Sequence, residues 1–272
     1  MIRSSLRRLA AQSPALALVV LGTLLSGALW TVPASAAEAE TASIDHAQPA
    51  DGAVRLLVTV PGTEAIDLDE VAVTIGGKDV ATESDTASDS DDVQRTSILA
   101  IDTSNSMRGT RIAEAKKAAA AYLGAVPANV KVGVLTFDTD VEVVVPAGTD
   151  RDAAREAIAG LTLTQDTALY DGVLGALRAA GPNGATAGQR KVLLLSDGKD
   201  TTKTTLTSVV DAVKKSGVTV DVVSLQQGDE ANAPLNAITA AGKGTMLNTA
   251  DPTALSEAFA AEADDLARQI VV

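Results

Sequence analysis

No cysteine occurs among the 272 residues. That removes thiol catalysis, disulfides, zinc–thiolate sites and lipoprotein anchoring together. Histidine occurs once, at His46, in a polar stretch near the N-terminus that reads as a solvated loop. A Ser-His-Asp hydrolase needs a histidine in its cleft, and a catalytic zinc site usually wants more than one, so neither class fits. Aromatic residues are only 2% of the chain, which leaves Ala, Val and Leu to pack the core. Basic residues number 22 against 35 acidic ones, a formal net charge of −13. A chain this acidic repels phosphate backbones, and no basic stripe with interleaved aromatics is present, so nucleic acid is excluded as a partner.

What is present begins with a secretory pattern over residues 1–36. Arg3, Arg7 and Arg8 form a positive n-region, Ala15 to Leu29 an apolar h-region, and Ala34-Ser35-Ala36 a small-x-small cleavage site. Cleavage before Ala37 is expected. The rival is an uncleaved N-terminal tether, but the apolar run is short for a span of roughly 20 residues. Residues 37–95 read as a flexible leader (Ala37 to Asp51), a small β element (Val54–Val60 and Val71–Ile75) and a solvated acidic linker (Glu83 to Asp92). Two or three strands are marginal alone, so the β element should pack on something else.

From Thr96 to Arg268 strands and helices alternate. Strands are expected at Ile98–Ile101, Lys131–Phe137, Val141–Val145 (ended by Pro146), Val192–Leu195, Val218–Leu225 and Thr245–Leu247. Helices are expected at about Arg111–Leu123, Arg151–Ala159, Ala168–Ala180, Leu206–Lys215 and Pro234–Ala241, with a last one running from Asp251-Pro252 to about Arg268. The turn Asp138-Thr139-Asp140 is too short for a crossover helix, so its flanking strands form an antiparallel hairpin. The fold class is α/β: a doubly wound, mostly parallel six-stranded sheet with one antiparallel edge strand, preceded by the small β element. Residues 269–272 are read either as a strand returning to that element or as a truncated continuation.

The chemistry gathers at strand ends. Ile98–Ile101 breaks into Asp102-Thr103-Ser104-Asn105-Ser106-Met107-Arg108-Gly109, so Asp102, Ser104 and Ser106 leave the carboxyl end of a central strand, where open α/β sheets bind ligands. One carboxylate and two hydroxyls make a hard oxygen set suited to Mg²⁺, Mn²⁺ or Ca²⁺. The plain alternative is a helix N-cap. Two further segments carry oxygen groups, Gln165-Asp166-Thr167-Ala168 before a helix and Leu195-Ser196-Asp197-Gly198 after a strand. With strand order 3-2-1-4-5-6, Asp102, Ser104, Ser106, Thr167 and Asp197 can face one spot. Asp138 and Asp140 are explained by turn chemistry, Asp166 by an N-cap or by a supporting role behind the site, and Tyr122 and Tyr170 by packing.

The set Asp102-x-Ser104-x-Ser106, then Thr167, then Asp197-Gly198 resembles the metal-ion-dependent adhesion site of von Willebrand factor type A domains, over about Thr96 to Arg268. Met107 and Gly109 fit the usual continuation. The resemblance implies that Ser104, Ser106 and Thr167 give hydroxyls to Mg²⁺ (or Mn²⁺ or Ca²⁺), and that Asp102 and Asp197 act directly or through water. It also implies an open coordination position for an acidic side chain of a protein partner. Signal peptide, short β region and adhesion-site domain together look similar to secreted actinobacterial proteins, in some of which a membrane-embedded secretion or pilus-assembly segment follows.

The expected function is therefore non-enzymatic: a secreted or cell-envelope, metal-dependent binding or adhesion module. One alternative is a Mg²⁺-dependent phosphatase of doubly wound fold. That chemistry wants a second Asp two residues after the nucleophile, where this chain has Ser104. Another is a structural domain whose metal site is empty.

Overall fold

The computed structural model describes residues 17–18, 41–50, 52–184, 187–196, 200–225, 229–249 and 251–272. The secretory pattern, apart from positions 17–18, and Asp197 lie outside the described residues. Among the described residues no helix is long and apolar enough to cross a membrane.

The chain opens with β1 (Ala17–Leu18), β2 (Ser43–Ala50), β3 (Ala53–Thr59), β4 (Ala72–Ile75), β5 (Lys78–Val80) and β6 (Asp85–Thr86). The alternating region follows as β7 (Arg95–Asp102), α1 (Thr110–Ala125), β8 (Lys131–Phe137), β9 (Val141–Gly148), α2 (Arg151–Gly160), α3 (Leu169–Ala179) and β10 (Gln189–Ser196). It ends with α4 (Leu206–Ser216), β11 (Thr219–Ser224), α5 (Asp229–Ala241), β12 (Met246–Asn248), α6 (Leu255–Ala267) and β13 (Gln269–Val271).

Six strands form the main sheet in the order β12-β11-β10-β7-β8-β9. All neighbours are parallel except β8 and β9. This is the doubly wound sheet with an antiparallel edge that the alternation predicts. Period-two alternation divides the core. Leu99 and Ile101 of β7 join Leu193 and Leu195 of β10 on the side covered by α1, α2 and α6. Ile98 and Ala100 join Val192 and Leu194 on the side covered by α3, α4 and α5. Buried on both faces, these strands read as unbroken apolar runs, as central parallel strands must. Tyr122 is a packing residue, set edge-on against Phe259 at 6.2 Å between ring centres.

Four readings change with the structure. Ser43–Ala50, within the expected flexible leader, is strand β2, paired antiparallel with β3. His46 therefore sits in a strand beside a bulge rather than in a loop, and its half-buried ring is held below the ordinary imidazole range, first by loss of hydration. The acidic stretch is no free linker: β6 pairs with β13, Ala87 is buried, and Asn129 Nδ2 donates to the Ala87 and Ser90 carbonyls. Strand β9 runs through Pro146 instead of ending before it. It is an edge strand, and the ladder bulges there, so no sheet hydrogen bond needs the missing N–H.

Gln269–Val271 inserts between β3 and β6, giving a second sheet in the order β2-β3-β13-β6. Its junction with the main domain is polar and buried. Arg95, at the start of β7, donates from Nη1 to the Leu266 carbonyl (2.7 Å) and Gln269 Oε1 (3.2 Å). From Nη2 it donates to the Ala87 carbonyl (2.7 Å) and Asn129 Oδ1 (2.5 Å). One guanidinium thus ties the segment after β6, the α1–β8 connection and the α6–β13 junction to the base of the central strand.

Candidate metal centre

Strand β7 sits between β8 and β10, and its last residue, Asp102, is fully buried. Chain connections leave β7 and its neighbour β10 on opposite sides of the sheet, which opens a crevice at their carboxyl ends. Register places Ile101 beside Leu195, so Ser196 follows next to Asp102. The carboxylate is held at both oxygens: Oδ1 accepts from the Ser104 N–H (2.9 Å) and Oδ2 from Ser196 Oγ (2.7 Å).

The chain then turns through Asn105–Met107, a single 3-10 turn with Met107 fully buried beneath it. Met107 pins the turn to the core, so alternate residues Ser104 and Ser106 meet, their Oγ atoms 2.7 Å apart. Gly109, at φ +82°, makes the backbone reversal into α1, a conformation a side chain would strain.

The loop that carries Thr167 is brought to the same strand end by backbone bonds. Thr164 N–H donates to the Thr103 carbonyl (3.0 Å), and Ala168 N–H to the Asp138 carbonyl (2.6 Å). Thr103 Oγ1 in turn donates to Asp138 Oδ2 (2.7 Å). Thr167 itself is buried and clasped by Thr201: the Thr167 N–H donates to Thr201 Oγ1, while Thr201 N–H and Oγ1 donate to the Thr167 carbonyl. Asp200 accepts from the Tyr170 N–H at the start of α3, and Asp171 accepts from Thr204 Oγ1. Burial first, then the Asp200 charge, push the Tyr170 phenol above its ordinary range. Helix α3 comes close enough to hold this loop because Gly172 lies on the Phe137 ring, where a Cβ would sit 2.6 Å from Cγ.

Of the five residues predicted for the site, Asp102, Ser104 and Ser106 are joined by hydrogen bonds, and Thr167 sits on a loop bonded to the same strand end. Asp197 directly follows Ser196 in the chain and lies outside the described residues. Among the described residues no three His, Cys, Asp or Glu side chains gather as a metal cluster. The donor chemistry nonetheless fits a hard divalent cation: a buried carboxylate fixed in orientation with two hydroxyls brought into contact beside it.

Sequence reasoning missed Ser196, Thr201 and the Thr103–Asp138 link. Ser196 was legible only as the small residue before Asp197. Its role depends on β10 lying beside β7. Replacing Ser196 with Ala should leave Asp102 Oδ2 without that donor, at a cost of about 1–3 kcal/mol in urea unfolding. It should also weaken divalent-metal binding roughly 10- to 100-fold, as loss of an orienting partner does.

Residues 97–199 match the von Willebrand factor type A domain. This part of the chain is a von Willebrand factor type A domain. A UPF0353 protein of Mycolicibacterium vanbaalenii is 32% identical over 115 residues, 38% of this chain. The match spans about a third (34%) of that relative's length. Among solved structures, a von Willebrand factor type A protein from Catenulispora acidiphila has a TM-score of 0.57 at 21% identity, over 78% of this chain and 45% of that one. The vWF domain of the type V pili tip protein Mfa5 from Porphyromonas gingivalis gives 0.56 at 14%, over 64% of this chain and 95% of that one. Proximal thread matrix protein 1 from the mussel byssus, with its adhesion-site (MIDAS) motif occupied by zinc, gives 0.54 at 18%, over 67% and 48%. The type A fold therefore hosts a divalent metal in one structural neighbour and belongs to a pilus protein in another.

Proposed function

We propose that this von Willebrand factor type A domain is a divalent-metal-dependent protein-binding module of the cell envelope or extracellular space, without catalytic activity of its own. The observation that carries the reading is the meeting of the Ser104 and Ser106 hydroxyls beside the fixed Asp102 carboxylate. Ser104, Ser106 and Thr167 would hold Mg²⁺ or Mn²⁺, and Asp102 and Asp197 would balance its charge. Hydroxyls add no charge, so the bound ion stays electrophilic toward an acidic side chain of a partner. A cage richer in carboxylates would hold the metal more tightly and offer a partner nothing. The secretory pattern at the N-terminus and the pilus tip protein among the structural neighbours support the location.

The test is capture from a cell-envelope extract on the immobilised chain. Partner recovery is expected with Mg²⁺ or Mn²⁺, loss with EDTA, and return when metal is restored. Equal recovery with and without EDTA overturns the reading.

A further inference from the structure

Beyond the metal itself, the turn that carries the two serines holds an exposed cation in a fixed place. Asn105 lies between Ser104 and Ser106, and its Oδ1 accepts from Arg108 Nε (3.0 Å) and from Arg108 Nη2. The Arg108 backbone N–H also donates to the Asn105 carbonyl (3.2 Å), which closes the turn. Arg111 Nη1 donates to the Ser106 carbonyl (3.1 Å), so two guanidiniums brace one short loop.

A guanidinium has five N–H donors, and Asn105 takes two of them. One on Nη2 and both on Nη1 remain. The Nη2 donor and one of the two on Nη1 form the end-on edge that grips a carboxylate with two parallel bonds. The side chain is exposed, yet its freedom is already restricted by Asn105, so little further ordering is needed when a ligand docks. The electrostatics point the same way. A net charge of −13 opposes an acidic partner at long range, and a guanidinium on the metal-binding turn reverses that at contact.

We infer that Arg108, held by Asn105, is a specificity-determining residue that selects partners carrying two neighbouring acidic side chains, one for the metal and one for the guanidinium. This rests on the metal-dependent reading above. It adds a ligand class to it: a paired-acid segment rather than a lone Asp or Glu.

The probes are synthetic Gly/Ser peptides bearing either one Glu or two Glu separated by one to three residues. Their binding to the full chain is measured in Mn²⁺, and Mn²⁺ uptake is measured separately by calorimetry. With the wild-type chain the best two-Glu peptide should bind at least ten-fold more tightly than the one-Glu peptide. Arg108→Gln should erase that advantage and leave both Mn²⁺ uptake and one-Glu binding unchanged. Asn105→Ala, which frees the arm, should reduce the advantage about three-fold. Equal wild-type affinity for the two peptides overturns the inference, as does an advantage that survives Arg108→Gln. Normal Mn²⁺ uptake with no binding of either peptide overturns it while the metal site stands. Absence of Mn²⁺ uptake overturns the metal site and this inference with it.

Discussion

Asp102→Asn is expected to abolish divalent-metal binding while leaving the domain folded. In the wild-type chain one carboxylate oxygen accepts from the Ser104 N–H and the other from Ser196 Oγ. Asparagine has the same shape. Its carbonyl oxygen can keep the bond from Ser104, and its amide can donate to a Ser196 hydroxyl turned to accept. The exchange costs the fold about 1 kcal/mol, the worth of a hydrogen bond to a charged group less one between neutral groups. A divalent ion held as proposed would lose a full negative charge from a ligand set made mostly of neutral hydroxyls. Affinity for Mn²⁺ or Mg²⁺ should fall at least about 100-fold, roughly 2.7 kcal/mol. Calorimetry against urea unfolding of the same samples separates the two effects. Equal heats for wild type and variant would remove the metal from the proposed function.

The second large effect lies on the opposite side of the core from α3. Lys191 of β10 bridges Asp221 of β11 at 3.0 Å and Glu262 of α6 at 2.5 Å, and all three side chains are nearly inaccessible. Lys191→Met should cost about 3–5 kcal/mol, because it leaves the buried Asp221 carboxylate without a counter-charge and drives Glu262 to take up a proton. The loss should shrink in acid, where both carboxyls hold protons. A loss below about 1 kcal/mol at neutral pH would show that the cluster relaxes into water.

The same cluster sets a pH dependence. Burial drives the Glu262 carboxyl up to about 7 from its ordinary 4.5, with the nearby Asp221 charge adding to it and Lys191 only partly offsetting it. Its folded value is thus above its unfolded one. The corresponding stability is complete below pH 4.5 and is lost as pH rises through 7, at up to about 1.4 kcal/mol per pH unit. Lys191 suffers the same loss of hydration, but Asp221 and Glu262 outweigh it and raise its pKa. Its contribution is therefore flat over this window and lost only at strongly alkaline pH. Unfolding free energies measured from pH 4.5 to 7 should fall more steeply for wild type than for Glu262→Gln. Parallel curves would place the cluster's proton elsewhere.

The sequence by itself determined the doubly wound sheet, and it put forward Asp102, Ser104, Ser106 and Thr167, which lie on neighbouring loops at one end of the central strands. Unbroken apolar runs such as Val192–Leu195, and polar residues placed just past them, are written in adjacent positions, and strand burial follows from local pattern. One end cap is equally local: Asp150 accepts from the Asp152 and Ala153 N–H groups at the start of α2, whereas α3 is entered at Ala168 with no side-chain cap. Only the tertiary structure decided the rest. Ser43–Ala50 and Asp85–Thr86 are too polar to declare themselves strands, and they became strands because β3 and β13 offered them unpaired backbone edges. Arg95 and Lys191 are buried because their partners converge from segments far apart in the chain, including Ala87, Asn129 and Leu266 for one and Asp221 and Glu262 for the other. Hydrophobic period is a property of neighbouring residues, whereas satisfaction of a buried charge depends on distant ones, and no local pattern encodes that meeting.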